Sequence, residues 1–348
     1  MSLLRFAKRA FLRAVDLAGL NAHFIDSAWR KSRLLIVCWH GVSNSDEHAW
    51  NPNLFMTPAV FRTRLDLLRA MRCNVLPLHE ALSRLRNASL PPRAVCLTVD
   101  DGDSSFYLRA WPLLREYCFP TTLYWTTYYS TRPFAVFDPM LLYLLWKGRD
   151  RTLTLRDPAL RTTLRTARSR NRAFAAIHEV SGSMGWTSDD KESFLIELAR
   201  LLEIDYSQIK AKRVLHLITP AEARAMVSEG LDLQLHTHRH WVPRTPEEFS
   251  AELNDNARMI CEAGAESPRH FCYPSGSFMP EFGPWLRDNG IESATTCKSG
   301  LTDRNTDPYF LPRLIDHQGL SSEEFKGWLS GIAESLRRNH RMSLHGFR

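Results

Sequence analysis

AVCLTVDDG, residues 94 to 102, decides the fold. An apolar, β-prone run ends on two adjacent acids and a glycine, which reads as a strand with Asp100 and Asp101 at its C-terminal tip. Working outward, LLIVCWH (34 to 40) is a similar run ending on His40, and Thr57-Pro58 opens a helix with threonine as N-cap and proline at N1. CNVLPL (73 to 78) and TTLYWTT (121 to 127) read as further strands, with helical patterns at HEALSRLR and from Tyr107 to Tyr117. Strands alternating with helices predict βα units, a mainly parallel sheet, and function at the carboxyl ends of strands.

The rhythm breaks from about Pro133 to Arg213, a stretch rich in arginine and helix formers that predicts a mostly helical insertion. It resumes at Thr219-Pro220. LDLQLHTHRH (231 to 240) follows as a strand with a histidine-loaded tip, then HFCYPSG (270 to 276), ESATTC (292 to 297), FLPRLID (310 to 316) and a last helix from about Ser322. The expected organisation is a basic N-terminal helical segment over 1 to 32, an α/β unit over 33 to 132 and 214 to 333, the insertion over 133 to 213, and a basic tail over 334 to 348.

Of the 348 residues, 44% are hydrophobic and 24% charged, the balance of a globular protein rather than a disordered one. Seven scattered cysteines without a CxxC pair do not read as a disulfide framework, which favours buried thiols and a reducing compartment. The net charge of +7 is concentrated in the N-terminal stretch, in Lys147 to Arg172, and in Arg337, Arg338 and Arg341. That suits an anionic partner, or simply a solvated basic surface. Arg5, Lys8, Arg9, Arg13 and Asp16 interrupt the first apolar stretch, so neither a signal peptide nor a membrane span is expected. Leu3, Leu4, Ala7, Phe11, Ala14, Leu17 and Ala18 instead form a stripe at helical spacing. Such a helix either lies at an anionic membrane surface or packs on its own barrel. The localisation expected is cytoplasmic, with peripheral membrane contact as an option.

Two tips carry chemistry. Adjacent aspartates on an apolar strand are costly unless something positive compensates them. One could hold a cation while the other stays free as a base; a plain Asp-Gly turn is the structural alternative. His236 and His240, four residues apart, would share one side of a helical turn, as a metal pair requires. With a carboxylate they make a three-ligand site with an open position, suited to zinc and neighbouring transition ions.

LTVDDG, HTHRH and CYPSG, in this order and strand context, resemble the first three motifs of the polysaccharide deacetylases, carbohydrate esterase family 4. LLIVCWHGVS and FPTTLYWTT are similar to the family's flanking strands. The resemblance implies a distorted (β/α) barrel. It also implies one divalent ion, zinc or else Co2+, Ni2+ or Mn2+, on Asp101, His236 and His240, with Asp100 as general base. Thr237 would brace the metal loop, the backbone N–H of Ser275 would stabilise the oxyanion, and Gly276 would let the backbone approach the substrate. His40, Tyr273 and Pro274 are expected to line the site.

Two departures matter. Where the family often places an arginine that pairs with the base, this chain has Cys272, and Arg313 is the expected substitute. The family's late histidine, the acid for the leaving amine, has no convincing copy; His317 is its positional candidate, while His345 lies close to the terminus. The activity implied is removal of an N-acetyl group from an amino sugar, in a polysaccharide or a lipid-linked intermediate of cell-envelope or exopolysaccharide synthesis. The alternatives are an amidase for a small cyclic or formyl amide, and an inactive metal-holding glycan binder. No nucleic-acid partner is expected, because no binding motif for one is present.

Overall fold

A computed structural model of the chain describes residues 3–156 and 158–336. Arg337, Arg338, Arg341 and His345 lie outside the described residues. Seven parallel strands form the main sheet: β1 (Leu35–Trp39), β2 (Ala94–Asp101), β3 (Thr121–Trp125), β4 (Asp232–Leu235), β5 (His270–Cys272), β6 (Ser293–Thr295) and β7 (Leu314–Ile315). Their order is β6-β5-β4-β3-β2-β1-β7, with Asn74–Val75 paired to the start of β2. The sheet curls towards closure through one segment. Leu311 bridges to Thr295 at the end of β6, and shortly after it Leu314 and Ile315 pair with Val37 and Cys38 of β1. The result is the distorted (β/α) barrel expected from the sequence.

Period-two alternation sorts β2 into two faces. Val95, Leu97 and Val99 belong to the large outer core with Phe61, Leu65 and Leu68 of the helix opened by Thr57 and Pro58. Cys96 belongs with Ile36, Tyr124 and Cys272 to a smaller cluster on the opposite face. Asp100 continues the series 96, 98, 100 and is buried. Register then sets Asp101 beside Trp125, Trp125 beside Leu235, and Leu235 beside Phe271, so the tips of four consecutive strands converge. Gly102 is fixed by this crowding: φ is +86°, and a Cβ there would lie 2.5 Å from the Trp125 ring.

The insertion contains α2 (Phe137–Lys147), α3 (Ala167–Ser183) and α4 (Ser188–Leu201), following α1 (Leu3–Leu17) in chain order. It has its own core around Leu141, Leu144, Ile177 and Leu198. It is not helical throughout, since Thr152–Leu155 and Leu160–Thr163 form an antiparallel hairpin. Arg149, Arg151, Arg161, Arg165, Arg168 and Arg172 on it are exposed. Two further helices matter below, α5 (Pro246–Glu262) and α6 (Ser322–Ser330).

All seven cysteines are free, but Cys118, Cys261 and Cys297 are exposed, so the expectation of buried thiols holds only in part. The inward face of α1 is Leu12 and Val15, packed beside α6 with Ile332, and Asp16 pairs with Lys326 at 2.8 Å. Ala7, Phe11, Ala14, Leu17 and Ala18 of the stripe read from the sequence face out, with Phe11 47% exposed and Leu17 80%. Among the described residues no helix is long and apolar enough to cross a membrane.

Candidate active site

Asp101 ends β2 in the left-handed region, φ 72°, which turns its carboxylate away from the series that buries Asp100. Its Oδ1 lies 3.0 Å from His236 Nε2 and 3.2 Å from His240 Nε2. The two rings are 4.9 Å apart at an interplanar angle of 61°. Sequence spacing implied a helical turn here. The backbone is instead an irregular turn, with Thr237 at φ 57° and His240 at φ 56°. The histidines converge all the same, because two positive-φ residues reverse the chain within five positions.

The donor set fits a divalent ion. Two imidazole nitrogens and a carboxylate oxygen lie within 4.8 Å of one another. His236 Nδ1 is 2.8 Å from the Cys272 carbonyl and, as its donor, leaves Nε2 as a free lone pair aimed at Asp101. Burial lowers the His236 pKa, but the Asp101 hydrogen bond and the charges of both aspartates outweigh it and raise the value. The same two carboxylates that favour positive charge on this ring would favour a divalent ion beside it.

Asp100 has a different environment. Arg313 Nη1 and Nη2 each donate to it at 2.7 Å, a bidentate pair with arginine fully buried. Arg313 also donates to the Thr296 carbonyl at 3.1 Å and to Thr98 Oγ1 at 3.2 Å. Its Nη2 lies 3.1 Å from Cys272 Sγ. The guanidinium thus reaches Asp100 past the small Cys272 side chain. Burial alone would raise the Asp100 pKa; the Arg313 charge and hydrogen bonds overcome this and hold the carboxyl far below the usual range.

The remaining expected residues divide. His40, at the tip of β1, lines the cleft with Asp101 and His240, and its Nε2 is 3.9 Å from Asp100 Oδ2. Its Nδ1 is buried without a hydrogen-bond partner. His317 sits beyond the neighbouring β7 tip, accepts from the Gly319 N–H at 3.1 Å, and is absent from the cleft lining. The Thr237 hydroxyl, expected to brace the loop, is buried with no partner. Tyr273 is a core residue: its OH donates to the Tyr309 carbonyl at 2.8 Å and its ring stacks on Phe282 and Phe310. Pro274 is buried, and Ser275 is exposed at φ 55° on the turn after β5. Gly276 is demanded by packing, since a Cβ would meet Cys297 at 2.8 Å.

Sequence reasoning missed the true brace. Asn256 on α5 is fully buried, accepts from the His236 backbone N–H at 2.8 Å, and donates to the Trp125 carbonyl and Thr127 Oγ1. Glu252, one turn earlier, accepts from the Arg239 N–H at 2.8 Å. His238 pairs with Thr127 at 2.8 Å and points away from the cluster. Asp103 was also passed over; it lines the cleft, and burial pushes its carboxyl up to about 7. Polar residues on an amphipathic helix carry no sequence signal for such roles. Asn256→Ala is expected to weaken zinc binding about 10- to 100-fold, as loss of a ligand's supporting hydrogen bond does. Calorimetric titration checks this, and unchanged affinity would assign the brace elsewhere.

A family model described as polysaccharide deacetylase matches residues 173–294. The match spans about a third of the chain, and that segment is similar to the polysaccharide deacetylases. The matched span contains His236, His240 and the third motif, while Asp100 and Asp101 come from outside it. No curated protein sequence matches the chain. Among solved structures it is similar to the Streptococcus pyogenes deacetylase PplD in complex with acetate, at 17% identity and TM-score 0.56, covering 84% of this chain and 96% of that one. It is likewise similar to IcaB from Ammonifex degensii, at 17% identity and TM-score 0.54, covering 86% and 97%. A de-N-acetylase from Aggregatibacter actinomycetemcomitans gives 13% identity and TM-score 0.52, covering 85% and 99%. At these identities the likeness establishes the fold, and the chemistry rests on the chain's own residues.

Proposed function

We propose that the chain removes an N-acetyl group from an amino sugar in a polysaccharide or lipid-linked glycan intermediate of cell-envelope or exopolysaccharide synthesis. The observation that carries this is the pair of neighbouring aspartates with opposite roles: Asp101 facing two imidazole nitrogens, Asp100 locked by Arg313. A divalent ion, zinc by donor type, would be held by Asp101, His236 and His240 and would supply Lewis acidity and activation of water. Arg313 keeps Asp100 ionised and fixes its orientation. Asp100 takes the proton of the attacking water as the C–O bond forms. His40 gives a proton to the leaving nitrogen as the C–N bond breaks, yielding acetate and a free amine. Ser275, on the turn after β5, is the candidate backbone donor to the oxyanion.

Acetate release from N-acetylglucosamine oligomers and lipid-linked N-acetylglucosamine, with and without chelator, tests the proposal. Chelator-sensitive release is expected; none from any substrate by zinc-loaded protein would favour the inactive-binder reading. A second reading, a small cyclic or formyl amide as substrate, is favoured by one feature, that α2 of the insertion walls the cleft. Turnover of such amides but not of sugars would select it.

The proton donor is tested by comparing two histidines. His40→Gln is expected to lower kcat about 10²- to 10⁴-fold, the range of a lost general acid, and His317→Gln by less than threefold. The reverse result would move the role to His317. The outward stripe of α1 supports peripheral attachment of a cytoplasmic protein to an anionic membrane. Intact protein should float with vesicles of anionic lipid, and a Phe11→Ser/Leu17→Ser variant should stay in the soluble fraction. Equal recovery would end the membrane proposal.

A further inference from the structure

The cleft that contains Asp101, His240 and His40 has a volume of about 410 Å³. That is a ligand-sized space, well beyond what an acetyl group fills. Beyond the titratable cluster, much of its wall is Trp50, Leu54, Val136, Pro139, Leu142 and Leu217. The wall is assembled from separate parts of the chain: the loop after β1, the start of α2 in the insertion, and the segment returning to the barrel. Sugars are held by hydrogen-bonding groups and flat rings, and Asn51 and Arg239 at this cleft suit them. Four aliphatic side chains and a proline do not. Leu54 is 38% exposed and Leu142 partly exposed, so the wall presents apolar surface to water that a ligand could cover.

We propose that this cleft takes an aliphatic chain of the substrate, so that the favoured substrate is an amino sugar bearing an alkyl chain. The head group rests on the deacetylase reading; the chain rests on the wall. The same chemistry has two sources, an N-acyl group longer than acetyl or an alkyl aglycone on the sugar. Each methylene moved from water onto the wall should change recognition about fourfold until the wall is covered.

The test uses the zinc-loaded full chain and two substrate series. One varies the aglycone (methyl, butyl and octyl glycosides of N-acetylglucosamine), and the other varies the acyl group (N-acetyl, N-butanoyl and N-octanoyl glucosamine), all below micelle-forming concentrations. Carboxylate release gives kcat/KM, and calorimetry with methyl and octyl glucosaminide gives Kd. The proposal expects kcat/KM to climb at least tenfold along one series, and the responding series names the source. Leu142→Gln and Leu54→Ser should bring the octyl-to-methyl ratio to within about twofold of one. Acetate release that is indifferent to chain length in both series, with equal Kd values, would overturn it and leave the deacetylase reading standing. Chain-dependent Kd without carboxylate release from any compound would uphold the aliphatic site and remove the deacetylase reading instead.

Discussion

Arg313→Ala is expected to cost about 3–5 kcal/mol of stability, the penalty for leaving a buried carboxylate without its partner, and to abolish most turnover. Arg313 and Asp100 are both almost wholly inaccessible to solvent, so water cannot replace the lost donors. The pH response separates this from a general loss of packing. In the native chain the Asp100 pKa is depressed, so the pair's contribution is complete above the ordinary carboxylate value of about 3.9 and is lost as pH falls through the depressed value. Without Arg313, burial raises the Asp100 pKa, and the sign reverses: the variant should gain stability as pH falls and the carboxyl takes up a proton. Thermal unfolding between pH 5 and 8 reads this, with the prediction that the native-to-variant gap widens upwards in pH. An apolar double variant, Arg313→Met/Asp100→Leu, should recover much of the stability while remaining inactive. A single variant that is inactive but as stable as the native chain at every pH would refute the ion-pair account.

The strand tips were legible because they obey simple rules. An apolar run ending in Asp100 and Asp101, and another ending in His236, locate parallel strands and the end that carries function. The family resemblance then proposes Asp101 as ligand and Asp100 as base. Two features were not legible. The closure of the barrel depends on Leu311 and Ile315 touching opposite neighbours, a long-range fact that no local pattern encodes. The support of the histidine turn falls to Asn256 rather than Thr237, because helix α5 lies across that turn and its hydrogen-bonding groups face inward only in the folded chain. Tyr273 and Gly276 have the opposite lesson. Their place in a motif suggested contact with substrate, yet their neighbours are Tyr309, Phe282 and Cys297.

The second large effect is expected at the cluster itself. His236→Ala removes one of three donors and leaves Asp101 facing His240 alone, so both ion binding and turnover should fall by 10³-fold or more, a drop that added zinc at ordinary concentrations does not restore. The protein should stay folded, because His236 forms its backbone bond to Asn256 whatever its side chain.

Zinc titration of chelator-stripped protein, followed by calorimetry with the metal content of each chain measured independently, addresses the cluster most directly. The native chain should bind one ion, more tightly as pH rises, because His236, whose pKa is raised, must be unprotonated to act as a ligand. Asp101→Asn and His236→Ala should each lose that site. Tight one-to-one binding that survives both substitutions, or no binding by the native chain, would contradict the assignment of Asp101, His236 and His240 as the metal centre.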